Sequence, residues 1–346
     1  MAATSLRSIL RGLLAAAVAG AIFIVFVVRD VTRRPSSPGG EAVRITVSEG
    51  EAFGQVLLEL HQTGLVQRAW TFEFFARVLG HDRDIRRGTY QFQPGTPPVD
   101  ILRAMVRGDV LSVRVTVPEG YTSWQIAGAF APAGVDSLAL LGAIADPELL
   151  AALRVPVSTL EGYLFPDTYH VPYGSGAGDA VGQMIHRLSE TWTPGWERRA
   201  AELNMTRHQV LTLASIVEAE ARNPDERARV SAVYHNRLAR GMRLEADPTV
   251  AYAMGGFRGR LYYKDLKLDS PYNTYQHAGL PPGPICSPGA ASIEAALYPA
   301  PGEDALYFVA RGDGRHVFSA TLREHNAAVQ EARRERARQA AGAHSK

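Results

Sequence analysis

Residues 206–220 read Thr206-Arg207-His208-Gln209-Val210-Leu211-Thr212-Leu213-Ala214-Ser215-Ile216-Val217-Glu218-Ala219-Glu220. Thr206 followed three residues later by Gln209 is the pattern of a capping box, in which two side chains satisfy the free backbone N–H groups of a helix start. From there Val210, Leu211, Leu213, Ala214, Ile216 and Val217 recur at helical spacing, and Pro224 stops the run. The segment predicts a core helix of an α+β fold with two carboxylates, Glu218 and Glu220, at its far end. On a helical wheel the two flank the apolar stripe on opposite sides, so the wheel does not choose between them. Burial disfavours the charged form of a carboxyl group, so an unpaired Glu here is suited to donate a proton as a general acid. The opposing reading is an ordinary helix ion pair between Glu218 and Arg222, one turn on.

The 346 residues are 46% hydrophobic, enough to bury a substantial core in two folded units once the ends are set aside. The formal net charge is +2 and the basic excess lies largely at the two ends, so no nucleic-acid partner is expected. Cys286 is the one cysteine, which excludes an intramolecular disulfide and a multi-cysteine metal site. There is no Gly-rich phosphate loop, and His208, His235, His277, His316 and His325 are scattered singly instead of paired at metal-ligating spacing. Neither a metal nor a cofactor is expected.

Residues 12–28 carry no charge, and a helix of that length rises roughly 26 Å, near the lower limit for crossing a bilayer. Arg7 and Arg11 precede the run, Arg29, Arg33 and Arg34 follow it, and Asp30 offsets one charge, so the positive-inside count is nearly balanced. A cleavable signal peptide competes, because Ala17-Val18-Ala19 fits the small-x-small pattern, but the apolar run continues past it to Val28. The expectation is an uncleaved transmembrane anchor over residues 12–28, preceded by a cytoplasmic N-terminus at 1–11.

Pro35-Ser36-Ser37-Pro38-Gly39-Gly40 marks a flexible spacer within a linker at residues 29–42. Strand patterns at 44–47 and 87–92, and helical patterns at 52–63, 71–80 and 98–107, make residues 43–111 a compact α+β unit. Its layout resembles a LysM-like module, the small fold with which many wall-associated proteins hold glycans. The shared features are the element order and the strand Gly88-Thr89-Tyr90, and a purely structural spacer unit fits the same residues. A strand at 112–117 leads through Pro118-Glu119-Gly120-Tyr121 into a larger α+β unit at 112–330. The segment 331–346, rich in Arg and Ala, predicts a basic helical tail.

Several further segments bear on Glu218. Leu160-Glu161-Gly162-Tyr163-Leu164-Phe165-Pro166-Asp167-Thr168-Tyr169 packs aromatic and carboxylate side chains into ten residues, a composition that suits a sugar site. Arg243-Leu244-Glu245-Ala246-Asp247-Pro248-Thr249-Val250 precedes Ser270-Pro271-Tyr272-Asn273-Thr274-Tyr275 and the rigid Gly279-Leu280-Pro281-Pro282-Gly283-Pro284-Ile285. Together with Leu213–Glu220, with Ser287-Pro288-Gly289, and with His316-Val317-Phe318-Ser319 before Glu324-His325-Asn326, these segments closely resemble the endolytic murein transglycosylase family, MltG or YceG-like. The resemblance covers roughly residues 44–330 in the family's order.

The resemblance implies a peptidoglycan lytic transglycosylase held at the cytoplasmic (inner) membrane by a single pass, with its catalytic unit outside the cytoplasm. The family cleaves the β-1,4 bond between N-acetylmuramic acid and N-acetylglucosamine without consuming water, the muramyl 6-hydroxyl attacking its own anomeric carbon. It places the catalytic Glu at Glu218 and a second, non-essential acid at Glu220, and Glu245 stands where relatives often carry Gln. Tyr163, Asn273, Tyr275 and Glu161 are the candidates for positioning the glycan, against the alternatives of core aromatics and a turn-capping amide. Glycan strands and the membrane are the expected partners, and peptidoglycan synthases are candidate ones. Two other classes stay open: thiol catalysis by Cys286 with His277, and a non-catalytic glycan-binding scaffold for wall synthases.

Overall fold

The structure, a computed structural model, describes residues 2–34, 40–221, 223–256, 261–311 and 313–343. The chain divides into two compact units, Met1–Val113 with His170–Ser175 and Arg114–Tyr169 with Gly176–Lys346. Both mix helices with two-stranded antiparallel pairing, so the fold class is α+β.

The first unit begins with α1 (Ala2–Thr32), which extends beyond the charge-free run at both ends. Its segment Ser8–Thr32 is long and apolar enough to cross a membrane. The spacer read at residues 35–40 lies, apart from Gly40, outside the described residues. There follow β1 (Val43–Val47), α2 (Phe53–Gln62), α3 (Ala69–Val78), β2 (Gly88–Phe92) and α4 (Pro98–Arg107). Strands β1 and β2 pair antiparallel, Val43 opposite Phe92 and Val47 opposite Gly88. The alternation of side chains along them sends Ile45, Val47, Tyr90 and Phe92 inward, onto Leu60, Phe72, Ile101 and Met105. The Tyr of the Gly-x-Tyr strand is therefore a core residue: Tyr90 is fully buried and its hydroxyl donates to the Arg86 carbonyl at 2.6 Å.

The second unit begins at Arg114, within β3 (Ser112–Thr116), which leads to α5 (Ser123–Phe130), α6 (Ser137–Ile144) and α7 (Pro147–Ala152), and β4 (Thr168–Pro172) pairs with β3. Next come α8 (Ala177–Thr191), α9 (Pro194–Glu202), α10 (Arg207–Glu220), α11 (Arg227–Ala239), α12 (Asp247–Ala253) and α13 (Ala290–Leu297). A hairpin of β5 (Tyr307–Ala310) and β6 (His316–Ser319) precedes α14 (Leu322–Ala343), so the basic tail continues a helix that starts well before residue 331.

The helix expected at 206–220 is α10. Its capping box is complete: the Gln209 N–H donates to Thr206 Oγ1 at 3.2 Å, and the Thr206 N–H to Gln209 Oε1 at 2.8 Å. Residues 210–217 are all buried, because α9, α11, α12 and α13 pack around the helix. A carboxylate on its last turn is thus carried by an element packed on several sides.

Candidate active site

Glu218, on the last turn of α10, has a side chain only 8% exposed, and two donors hold its carboxylate. The Gly289 N–H, at the start of α13, donates to Oε2 at 3.0 Å, and Arg227 Nη2, at the start of α11, lies 3.4 Å from Oε1. The same Nη2 lies 3.5 Å from Glu119 Oε2, so two carboxylates share one guanidinium. Burial, and then the charge of Glu218, push the Glu119 carboxyl above its ordinary value, while Arg227 pulls the other way. Arg222, the partner that sequence alone suggested for Glu218, lies outside the described residues.

Two backbone hydrogen bonds set this arrangement. The Gly120 N–H donates to the Ser287 carbonyl and the Ser287 N–H to the Tyr121 carbonyl, each at 2.8 Å, which lays Pro118–Tyr121 along Ser287–Gly289. Glu119 then passes directly over Gly289, where a Cβ would stand 1.9 Å from Glu119 Oε1; only glycine permits the approach. Among the described residues, Arg227 Nε and the hydroxyls of Ser287 and Ser292 are buried with no hydrogen-bond partner. These polar groups lie on the segments that hold Glu218.

A cleft of about 520 Å³ opens beside Glu218, lined by its neighbours Gly120 and Ala219 and by Trp124, Tyr252, Ile285 and Cys286. Trp124, half exposed, leans on Tyr252 with ring centroids 5.9 Å apart, and Tyr252 on Tyr272 at 5.0 Å. An aromatic run next to a buried carboxylate suits a sugar ring, whose apolar face stacks while its hydroxyls bond polar groups. A larger cleft, about 730 Å³, lies at the opposite end of α10 around His208 and Pro282; a carboxylate lines neither cleft, but only the smaller one is bordered by Ala219, the residue next to Glu218, and by an aromatic pair. Chemistry, not size, selects between the two.

The positioning candidates named from sequence do not line this cleft. The Tyr163 hydroxyl donates to His208 Nδ1 at 2.9 Å and His208 Nε2 donates to the Pro282 carbonyl at 2.7 Å, the tautomer being set by that geometry. Burial pushes Tyr163 up to about 12. His208 precedes Glu218 by ten residues, roughly 15 Å of helix. Asn273 is fully buried and its amide is spent on the loop, donating to the carbonyls of Leu266 and Leu268 and accepting from the Tyr275 N–H. Tyr275 donates to Asp247 Oδ1 at 2.7 Å, and its phenol is raised by burial and by that carboxylate. Glu245 sits 3.3 Å from Arg237.

Glu161 is 2% exposed and accepts the Ser123 N–H at 3.1 Å, at the start of α5. The Tyr252 hydroxyl also bonds it, so Glu161 supports the cleft through Tyr252 without lining it. Burial dominates and raises its carboxyl to about 7, with the Ser123 and Gly162 amides and Tyr252 opposing. An acid with a folded value above its unfolded one is less stabilising when ionised. Stability is therefore highest below the ordinary value of 4.5, declines as pH rises toward about 7, and is level beyond. The drop is roughly 3 kcal/mol. Denaturant midpoints measured between these limits should fall with pH in the unmodified chain and stay flat in Glu161→Gln; equal slopes would assign the dependence to another group.

Cys286 is buried, its thiol donating to the Ser215 carbonyl at 3.3 Å, and burial, with Glu161 and Glu218 nearby, drives it well above the ordinary thiol value. A thiol kept protonated is no nucleophile. Sequence reasoning missed Glu119, Arg227, Trp124 and Tyr252. The signal available for Glu119 was its place in Pro118-Glu119-Gly120-Tyr121, an acid between a Pro and a Gly that hold a tight backbone path.

The fold and the site together define an α+β protein with an apolar leading helix and, beside an aromatic cleft, a buried carboxylate that shares one guanidinium with an exposed second one. The YceG-like family model matches residues 45–331, and the chain belongs to that family. It is 32% identical over 305 residues to the endolytic murein transglycosylase of Bacillus subtilis, covering 83% of each chain. It is 29% identical over 322 residues to the protein of that name in Streptococcus pneumoniae, covering 84% of this chain and 58% of the relative. A crystal structure of a YceG-like protein from Listeria monocytogenes superposes with a TM-score of 0.58 at 33% identity, over 83% of this chain and 99% of that one.

Proposed function

We propose that the chain is a membrane-anchored peptidoglycan lytic transglycosylase with Glu218 as its acid and base. The observation that carries this reading is the carboxyl group of Glu218, buried on a rigid helix, oriented by the Gly289 N–H and Arg227, at the edge of an aromatic cleft. The relatives named endolytic murein transglycosylase supply the substrate class. Glu218 first gives its proton to the glycosidic oxygen of the β-1,4 bond between N-acetylmuramic acid and N-acetylglucosamine as that bond breaks. It then takes the proton of the muramyl 6-hydroxyl as that oxygen bonds to the anomeric carbon, leaving a 1,6-anhydro end. Hydrolytic glycosidases need a second carboxylate to serve water or to act as nucleophile. Here the nucleophile belongs to the substrate, and Glu119 has a different part: through Arg227 it holds a compensating charge beside Glu218 as the proton leaves and returns.

In this reading residues 12–28 span the inner membrane with residues 1–11 inside, and residues 112–330 act on nascent strands outside. The unit at 43–111 is LysM-like, its helices α2 and α3 lying in sequence between the antiparallel strands β1 and β2. Peptidoglycan synthases are proposed partners, since new strands emerge at that surface.

Mass spectrometry of purified peptidoglycan treated with the chain should find anhydro-muramyl ends, which lack the elements of water found at a hydrolysed end. Hydrolysed ends would make the chain a hydrolase, and unaltered glycan would leave a binding scaffold. A reporter fused after Lys346 that works only outside the cytoplasm should be active; activity of a cytoplasm-only reporter would put the substrate out of reach.

A further inference from the structure

Helix α3 carries large apolar side chains in solvent at positions where a soluble unit would place polar ones: Trp70 is 48% exposed, Phe74 40% and Val78 66%. They recur every four residues and so form one stripe. Glu73 and Arg77, an ion pair at 2.7 Å on the same helix, edge it. The stripe is continuous with α1. Phe26 stacks on Trp70 at 5.9 Å, nearly parallel at 9°, and Phe23 meets Trp70 at 6.1 Å and Phe74 at 5.2 Å. Asp30 accepts from Thr71 at 2.6 Å and is paired with Arg68. Moving forward along α3 therefore means moving backward along α1, from the polar cluster at Asp30 into the charge-free run 12–28.

We propose that α3 is a second membrane contact, lying in the outer leaflet beside α1 with Trp70, Phe74 and Val78 among the lipids. The inference rests on the proposed anchoring by α1. The depth fits. Phe23 precedes Asp30 by seven residues, roughly 10 Å of helix, so with Asp30, Arg68 and Thr71 at headgroup level the contact with Phe74 lies about 10 Å below it. Trp70 then stands at the boundary that Trp favours, and Phe74 and Val78 follow it deeper into the leaflet along α3. Lipid also suits the stripe better than glycan does, because a glycan needs polar partners along its hydroxyls and Val78 offers none. The first unit then rides on the membrane surface by two helices, tied by Asp30, instead of trailing on a free tether.

The test uses the full chain in phosphatidylcholine vesicles containing brominated phosphatidylcholine, which quenches tryptophan within the acyl region. The other tryptophans, Trp124, Trp192 and Trp196, all belong to the second unit. Quenching should be marked in the unmodified chain and at least halved by Trp70→Phe, while both proteins float with the vesicles. Replacing Phe74 and Val78 by Ser, with Trp70 kept, should likewise weaken the quenching and leave flotation intact. A chain that floats but is not quenched, or is quenched equally without Trp70, overturns the proposal and leaves the anchor standing. A chain that fails to float overturns the anchor itself and this proposal with it. An emission change on adding soluble peptidoglycan fragments without vesicles that is present in the unmodified chain and lost in Trp70→Phe would assign the stripe to glycan instead.

Discussion

Glu218→Gln is expected to lower the rate of glycan cleavage by ~10²–10⁴, the usual cost of losing a general acid and base. The substitution keeps the shape and leaves an oxygen to accept the Gly289 N–H, but it removes the transferable proton and the charge beside Arg227. Melting of the variant should match the unmodified chain, which separates loss of chemistry from loss of fold. Glu220→Gln is the control. That carboxylate points to another neighbourhood, with the Tyr234 hydroxyl 3.4 Å from its Oε1, and its amide variant should retain cleavage. An inactive Glu220→Gln beside an active Glu218→Gln would reverse the assignment. Release of anhydro-muramyl fragments from purified peptidoglycan, followed by mass spectrometry, provides the rate.

Gly162→Ala should cost the second unit roughly 2–5 kcal/mol, adding the strain of a left-handed backbone to that of an overfilled core. Gly162 adopts φ +78°, and a Cβ there would lie 2.3 Å from Pro284 Cβ and 3.2 Å from the Cys286 carbonyl. Neither neighbour can swing aside, because one is a proline ring and the other is backbone. The contact joins the Glu161–Tyr163 segment to the loop that runs into Ser287–Gly289, so the carboxylate site should loosen along with the core. Gly279→Ala isolates the cause: its φ of +87° carries the same strain, but no atom lies within 4 Å of the added carbon. Its loss in denaturant midpoint should be clearly smaller. Equal losses in the two variants would mean that packing against Pro284 contributes nothing.

Local pattern specified the elements of the first unit and, in the second, β3 and α10. Thr206, Gln209 and the apolar spacing after them specify α10 with its cap; Pro98 and Gly108 bracket α4; alternation marks β1 and β2. These are properties of neighbouring residues, recorded in local periodicity and backbone preference, and they suffice for an α+β chain with an apolar leading helix. The ordered motifs likewise placed it in the YceG-like family. The site was legible only in part. A wheel puts Glu218 and Glu220 on equal terms, and what separates them lies far along the chain: Gly289 reaches Glu218 across 71 residues, and Glu119 arrives because Gly120 and Tyr121 pair with Ser287. Tyr163, Asn273 and Tyr275 are candidates because their residue types suit sugars, and only the fold shows the partners they already have: His208, loop carbonyls and Asp247. Trp124 and Tyr252, unremarkable in sequence, become an aromatic wall through the packing of α5 beside α12. Residue type states what a side chain can do; only the tertiary structure decides which partners have already used it, because hydrogen-bond capacity is finite and is filled first by whatever the packing brings near.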